Sequence, residues 1–268
     1  MTTRIIDTNT DVVLCDVRAG VGVITLNRPE RRNALNAEMY PAIRSALTDF
    51  ASADDVGCVV ITGAGAGFCA GGDVQAGRVR AADEPRPSVA ESAEALCSDA
   101  QVSRLLHEHP KVTIAAVNGG AVGAGLAIAL SCDLRIMAQS AKFISGWGPL
   151  AFSGDFGGAW FLTQLVGRSK ALELLISNET VSADAALEMG LTNRVVSSEK
   201  FPEVWREWAE SIAALPPQAT RYMKLNVRDA LDVPLADALR IESLRMAESA
   251  RTDEHRDAVR TWLAARRP

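Results

Sequence analysis

The sequence predicts an α/β protein, and three features carry that expectation. Short apolar runs of β type alternate with stretches whose apolar residues recur at helical spacing, the pattern of strand-helix-strand units. Two glycine-rich segments sit where an apolar run ends, "VVITGAGAGFCAGGDV" and "AAVNGGAVGAGLAIALSCD". With 268 residues, 48% of them hydrophobic, the chain can form one large core, or a core with a small appended lobe.

In chain order, "DVVLCDVRAGVGVITLN" reads as a hairpin that turns near residues 20–22. "NAEMYPAIRSALTDFAS" reads as a helix with Asn36 as its cap and Pro41 near its first turn. "VGCVVITG" follows as a buried strand. The polar stretch "AGRVRAADEPRPSVAES", with two prolines and many charges, reads as a loop or frayed helix start of the kind that covers a site. A helix ends near "LLHEHP", "KVTIAAVNG" is a second buried strand, and "GGAVGAGLAIALSCD" reads as a tightly packed helix of small residues. "LRIMAQ" and "AKFIS" are further short strands. From Gly157 the pattern turns helical almost to the end, with "LTNRVV" a brief interruption. The change of texture near residue 200 divides the chain into a core at 1–200 and a helical region at 201–268.

The charge balance limits the function. A net charge of −5, with Lys and Arg spread along the chain up to a basic end at Arg256, Arg260, Arg266 and Arg267, argues against a nucleic-acid partner. The five cysteines are odd in number and scattered, without the spacing of a disulfide framework or a metal site, and read as reduced core thiols. The first residues lack a secretory pattern, and no run reaches the ~18 apolar residues of a membrane span, so a cytoplasmic protein without membrane attachment is expected.

The chemistry signal lies in the two glycine-rich segments. Glycine lets backbone amides face a cleft without side chains in the way. In the second segment, the amides around residues 123–125 fall in the first turn of a helix, where unpaired N–H groups and the helix dipole favour negative charge. Two such loops can direct two donors at one oxygen, which is the physical content of an oxyanion hole. A dinucleotide-binding loop fits less well, because no acidic residue follows in a second strand about 20 residues on. Between glycines in "SGDFGG" stands Asp155, readable either as the cap of the helix that follows or as an acid that moves protons.

"LNRPERRNALN", "ITGAGAGFCAGGDV", "AAVNGGAVGAGLAIALSCDLRIMAQSAKF" and "GGAWFLTQLVGRSKALELL" resemble, in order, signature blocks of the crotonase superfamily, also called the enoyl-CoA hydratase/isomerase family. The resemblance runs from about Asp11 to the C-terminus. It implies a crotonase (ClpP-like) fold of repeated β-β-α units with a helical trimerisation region, an acyl-CoA thioester substrate, and trimers or pairs of trimers. It implies no separate cofactor and no metal, since coenzyme A is part of the substrate. By motif position, the amides of Ala70 and Ala124 would hold the thioester oxygen. The adenine would lie against the backbone near Phe68, Ala70, Asp73 and Val74, with Arg28 and Arg266 meeting the phosphates.

The departures from the family pattern narrow the reaction. Hydratases of this family place two glutamates where this chain has Ala127 and Trp147, and neither residue can transfer a proton. Asp155 occupies the place of the catalytic aspartate of isomerase members, and one carboxylate suffices to shift a double bond. Trp147 reads as a pocket wall or as a grip on a flat acyl group. Its spacing from Asp155 also resembles aryl-CoA dehalogenases, which need a histidine base, and His107, His109 and His255 fall in none of the catalytic blocks. The expectation is therefore enoyl-CoA isomerisation by Asp155. Hydratase activity with an atypical acid set, or an idle acyl-CoA-binding relative, stand as alternatives.

Overall fold

The hairpin and the strands around it organise the molecule. In the computed structural model, which describes residues 3–74 and 87–265, strands β1 (Arg4–Ile6), β2 (Val13–Arg18) and β3 (Val21–Leu26) pair antiparallel, and the chain turns between β2 and β3 at Ala19 and Gly20. Helix α1 (Met39–Ser52) carries the chain to β4 (Cys58–Gly63), which pairs parallel with β3. After α2 (Val89–Asp99) and α3 (Gln101–His107), β5 (Val112–Val117) pairs parallel with β4. Then come β6 (Gly120–Val122), α4 (Ala124–Ser131), β7 (Leu134–Ala138) and β8 (Lys142–Ile144). Helix α5 (Gly158–Ser177) breaks its helical path at Gly167, and β9 (Val181–Ser182), α6 (Ala183–Glu188) and β10 (Arg194–Val196) follow. Four helices complete the chain: α7 (Phe201–Ala213), α8 (Pro217–Asp229), α9 (Leu235–Ser249) and α10 (Asp253–Ala264).

The main sheet has the order β1-β2-β3-β4-β5-β7-β10, and β6-β8-β9 form a second, smaller sheet. Sequence pattern follows position in the sheet. Outer strand β2 alternates buried and more open residues, as one covered face requires, whereas central β4 is a nearly continuous buried run. The two faces are covered by different helices: a side chain at Gly22 would meet Phe50 of α1, while Val21, Val23 and Thr25 face Trp205 and Arg206 of α7. Every residue of α4 is buried, so its sequence is apolar all round instead of striped.

Two sequence expectations change here. "LTNRVV" does more than interrupt helices, because β10 adds a strand to the main sheet parallel with β7. Cys15, Cys58, Cys69 and Cys132 are buried thiols, but Cys97 is exposed on α2, a helix with no buried residue. The polar segment at 76–91 lies mostly outside the described residues, and its last part is the start of α2, fixed by a Ser88/Glu91 capping box. In the C-terminal region, α7 buries Phe201, Trp205 and Ala209 against the sheet, whereas α8, α9 and α10 contain no fully buried residue. Among the described residues, no helix is long and apolar enough to cross a membrane.

Candidate functional site

The site forms where the ends of β4 and β5 deliver the two glycine-rich segments to each other. After β4 the chain runs through residues 64–74 and is pinned along its length. Asn33, fully buried, donates its side-chain amide to the carbonyls of Ala64 and Gly67 at 2.9 and 2.8 Å. Leu35 then pairs with the segment in a short parallel bridge: its amide donates to Gly71 and its carbonyl accepts from Asp73, each at 2.8 Å. Backbone polar groups of successive extended residues point to opposite sides, so the Gly72 amide points away from Leu35. Among the described residues it donates to no acceptor.

The N-terminus of α4 lies against the same loop. Gly71 has φ +88°, and a Cβ there would approach the Val122 carbonyl to 2.8 Å and the Ala124 nitrogen to 3.6 Å. Glycine is therefore needed for both conformation and clearance. Ala124 is the first residue of α4, and its amide is one of the first-turn donors that no helical carbonyl can reach. Among the described residues, an amide on each segment is thus left without an acceptor, and the two segments meet where Gly71 lies against Val122 and Ala124.

The amide of Ala70 is not one of them. It donates to the Arg32 carbonyl at 3.0 Å, which corrects the expectation that it is free. Sequence reveals which glycine-rich loop bears amides but not which of them the tertiary pairing consumes. Similar commitments occupy the other residues of this segment. Phe68 is fully buried in the core and its amide donates to Gly120, the Asp73 amide is bound to Leu35, and Val74 is exposed.

Arg28 does not present a free guanidinium to solvent. It forms an ion pair with Asp73 at 2.9 Å, with both side chains largely buried, and it also donates to the Ala34 carbonyl at 2.6 Å. The structure thus makes Arg28 a brace between two loops instead of an open phosphate site. Arg32, which the sequence reading passed over, is exposed beside Gly67 on the same surface. Arg266 lies outside the described residues.

Asp155 approaches from the loop before α5. Its Oδ1 accepts the Trp147 indole N–H at 2.9 Å. It is not the cap of α5: the N-cap is Gly157, and no side chain caps that end. Trp147 is buried, and a Cβ on Gly123 would lie 3.8 Å from its Nε1, so the indole spans from the start of α4 to Asp155. Gly158 makes room for the ring, since a Cβ there would come within 2.4 Å of it. Burial pushes the Asp155 carboxyl above its ordinary pKa, and the indole hydrogen bond partly offsets this. A raised carboxyl held by an indole that reaches the start of α4 is suited to accept and return a proton.

The positions of the missing glutamates are closed to proton transfer. Ala127 is fully buried in α4, and Trp147 offers only its N–H. No histidine stands in for them. The His107 ring packs edge-on against Trp160 and Phe161, and His109 donates from Nε2 to the Leu47 carbonyl and accepts the Lys111 amide at Nδ1, with its pKa pushed down to about 4 by burial. Cys69, beneath the loop, is pushed up to about 12 by burial and is no nucleophile at neutral pH. Among the described residues, no group of three or more His, Cys, Asp or Glu side chains could hold a metal ion.

Comparison with known proteins shows the family to which the chain belongs. The profile of the family described as enoyl-CoA hydratase/isomerase matches residues 16–268. The chain is 34% identical to the 1,2-epoxyphenylacetyl-CoA isomerase of Escherichia coli K12 over 258 residues, covering 96% of this chain and 97% of that protein. It is 35% identical to the 4-chlorobenzoyl coenzyme A dehalogenase-2 of an Arthrobacter species over 210 residues, covering 78% of this chain and 75% of that protein. The crystal structure of an enoyl-CoA hydratase from Polaromonas sp. JS666 superposes with a TM-score of 0.87 at 30% identity, covering 96% of this chain and 98% of that one. With a family match spanning nearly its full length, a crotonase fold, and this meeting of two glycine-rich loops, the chain belongs to the enoyl-CoA hydratase/isomerase family of enzymes.

Proposed function

We propose that the protein shifts the double bond of an enoyl-CoA thioester. In this reading the amides of Gly72 and Ala124 hold the thioester oxygen as it gains charge, and Asp155 carries the proton. The carboxylate removes a proton from the carbon next to the carbonyl, electrons move into the oxygen to give a dienolate, and the same carboxyl returns the proton two carbons further along. No water enters and no other acid is required. The observation that carries the reading is the state of Asp155: raised by burial, oriented by one indole N–H, paired with no cation among the described residues, and linked through Trp147 to the start of α4. Trp147 keeps one carboxylate oxygen fixed and leaves the other for the substrate.

Coenzyme A recognition follows the exposed groups. Arg32 takes the phosphate role first assigned to Arg28, and the adenine lies along the backbone at Ala70 and Val74. Assembly into trimers or pairs of trimers falls to α8–α10, whose exposed apolar side chains include Leu235, Leu239, Leu244, Met246, Trp262 and Leu263. The test of the reaction is Asp155→Asn, which preserves an oxygen for Trp147 and removes the base. Conversion of 3-enoyl-CoA to 2-enoyl-CoA should fall by about 10² to 10⁴, the range for loss of a positioned general base. Full activity in the Asn variant would place the chemistry elsewhere.

A further inference from the structure

A cavity of about 860 Å³ opens between α3, the start of α5 and α8. Phe156 and Gly157, the two residues after Asp155, belong to its wall, so the cavity adjoins the Asp155 segment. Volumes on the order of 300–1,000 Å³ are those of pockets that enclose a drug-sized ligand, far more than a short alkyl chain fills. One side is aromatic: the rings of His107, Trp160 and Phe161 meet edge to face with centroids 5.0–5.5 Å apart. Phe156 is buried and holds φ +53°, a conformation that bulky side chains rarely adopt except where the surrounding fold imposes it, as at ligand sites. The charges of the wall are balanced. Arg104 pairs with Glu108 at 3.6 Å, Lys224 with Asp133 at 2.7 Å and Arg228 with Asp229 at 4.0 Å, so no lysine or arginine described there lacks a carboxylate. Helix α3 lines the cavity with Ser103 and His107, one turn apart on the same face. Ser103 is 3% exposed, and among the described residues its Oγ is the one buried side-chain nitrogen or oxygen without a hydrogen-bond partner. Buried polar groups are nearly always paired, and alanine would fill this position without the cost of a desolvated hydroxyl. An unpaired hydroxyl on a cavity wall marks a place where a ligand atom completes the bonding.

We propose that this cavity receives the far part of the acyl group, and that the substrates are thioesters carrying an uncharged aromatic ring with an oxygen that pairs with the Ser103 hydroxyl. This rests on the acyl-CoA reading above. A flat ring fits among His107, Trp160 and Phe161 because aromatic groups pack edge to face or offset with one another. The balanced charges of the wall favour a neutral ring over an acidic one. A plain alkyl chain would leave the Ser103 hydroxyl desolvated and unpaired, a loss that sites built to bond a substrate oxygen use to reject analogues lacking it.

Binding of thioesters that hold no double bond in the acyl chain, and so cannot isomerise, tests this apart from catalysis. Calorimetric titrations would compare hexanoyl-CoA with 3-phenylpropanoyl-CoA and 5-phenylpentanoyl-CoA, and each phenyl thioester with its 4-hydroxyphenyl and 4-methoxyphenyl derivatives. At least one phenyl thioester should bind wild type about tenfold or more tightly than hexanoyl-CoA, and at least one of its oxygenated derivatives about fivefold more tightly again. Ser103→Ala should abolish the second ratio, keep the first, and melt no lower than wild type, since it breaks no hydrogen bond among the described residues. Trp160→Ala, which opens the aromatic side, should lower the first ratio. Absence of either preference in wild type, an oxygen preference that survives Ser103→Ala, or a ring preference that survives Trp160→Ala overturns the inference alone. A lower melting temperature in Ser103→Ala shows the hydroxyl bonded within the protein and overturns it too. Failure of every thioester to bind wild type overturns the acyl-CoA reading and this inference with it.

Discussion

Asp155 and Arg28 show how one residue's role depends on what it is paired with. The folded-state pKa of Asp155 is raised by burial, so the native protein holds that proton more tightly than the unfolded chain does. Stability therefore declines as pH rises from the ordinary aspartate range through the raised value, and stays lowered above it. Asp155→Asn removes this titration. The variant should melt at or above the wild-type temperature at neutral pH and show no such advantage below about pH 4, as thermal scans across pH would reveal. In wild type the acid limb of kcat/KM should track the same ionisation. Arg28 presents the opposite situation, a charge whose partner is already in place. Arg28→Met would remove the cation 2.9 Å from the largely buried Asp73 carboxylate and should lower stability in denaturant unfolding by about 1–3 kcal/mol, the range for a lost hydrogen bond to a charged group. A free phosphate-binding arginine would instead leave stability unchanged and weaken thioester binding.

At the level of elements, the start of α4 and the start of α5 are the two places where helix geometry meets chemistry. Ala124→Pro tests the first. Proline is tolerated at the opening position of a helix because that amide has no helical partner, yet it deletes the donor proposed for the oxyanion. Circular dichroism should be preserved while kcat falls by about 10² to 10³, the measured scale for losing one such donor. Gly158→Ala tests the second. The added methyl would overlap the Trp147 ring, so the indole must shift and its bond to Asp155 must lengthen or break. Overpacking of this kind costs about 1–3 kcal/mol, and the acid limb of the rate profile should move with the altered Asp155 environment.

Over the whole molecule, the contrast between α7 and the three helices after it is the main unresolved energy. Helix α7 buries its aromatic residues on the sheet, while α8–α10 leave a series of large apolar side chains open. The proposed assembly rests on this exposed apolar surface. Sedimentation should give a mass that is three or six times the 28.5 kDa chain. A double substitution of Leu239 and Leu244 to Glu should shift the protein toward smaller species without altering the fold of residues up to 213, read by near-ultraviolet dichroism of the α7 tryptophans. A chain that sediments as a monomer under all conditions would remove this reading.

The sequence by itself determined the alternation of strands and helices, the hairpin at residues 19–20, the buried α4, the two glycine-rich segments, and Asp155 as the acid to watch. Each of these is encoded locally, in periodicity, in turn residues, or in a run of small side chains, and family motifs gave their order in the fold. Tertiary structure alone decided which groups are still available for chemistry. Ala70 and Gly72 look equivalent in "CAGGDV", but pairing with Arg32 and Leu35 consumes the amides around Gly72 and spares its own. Asp155 is not a cap because α5 opens at Gly157, two residues later, and its carboxylate accepts from Trp147, eight residues earlier. Arg28 loses its freedom to Asp73. Hydrogen bonds and ion pairs between distant segments leave no periodic trace in a sequence, because each depends on two positions brought together by the rest of the fold.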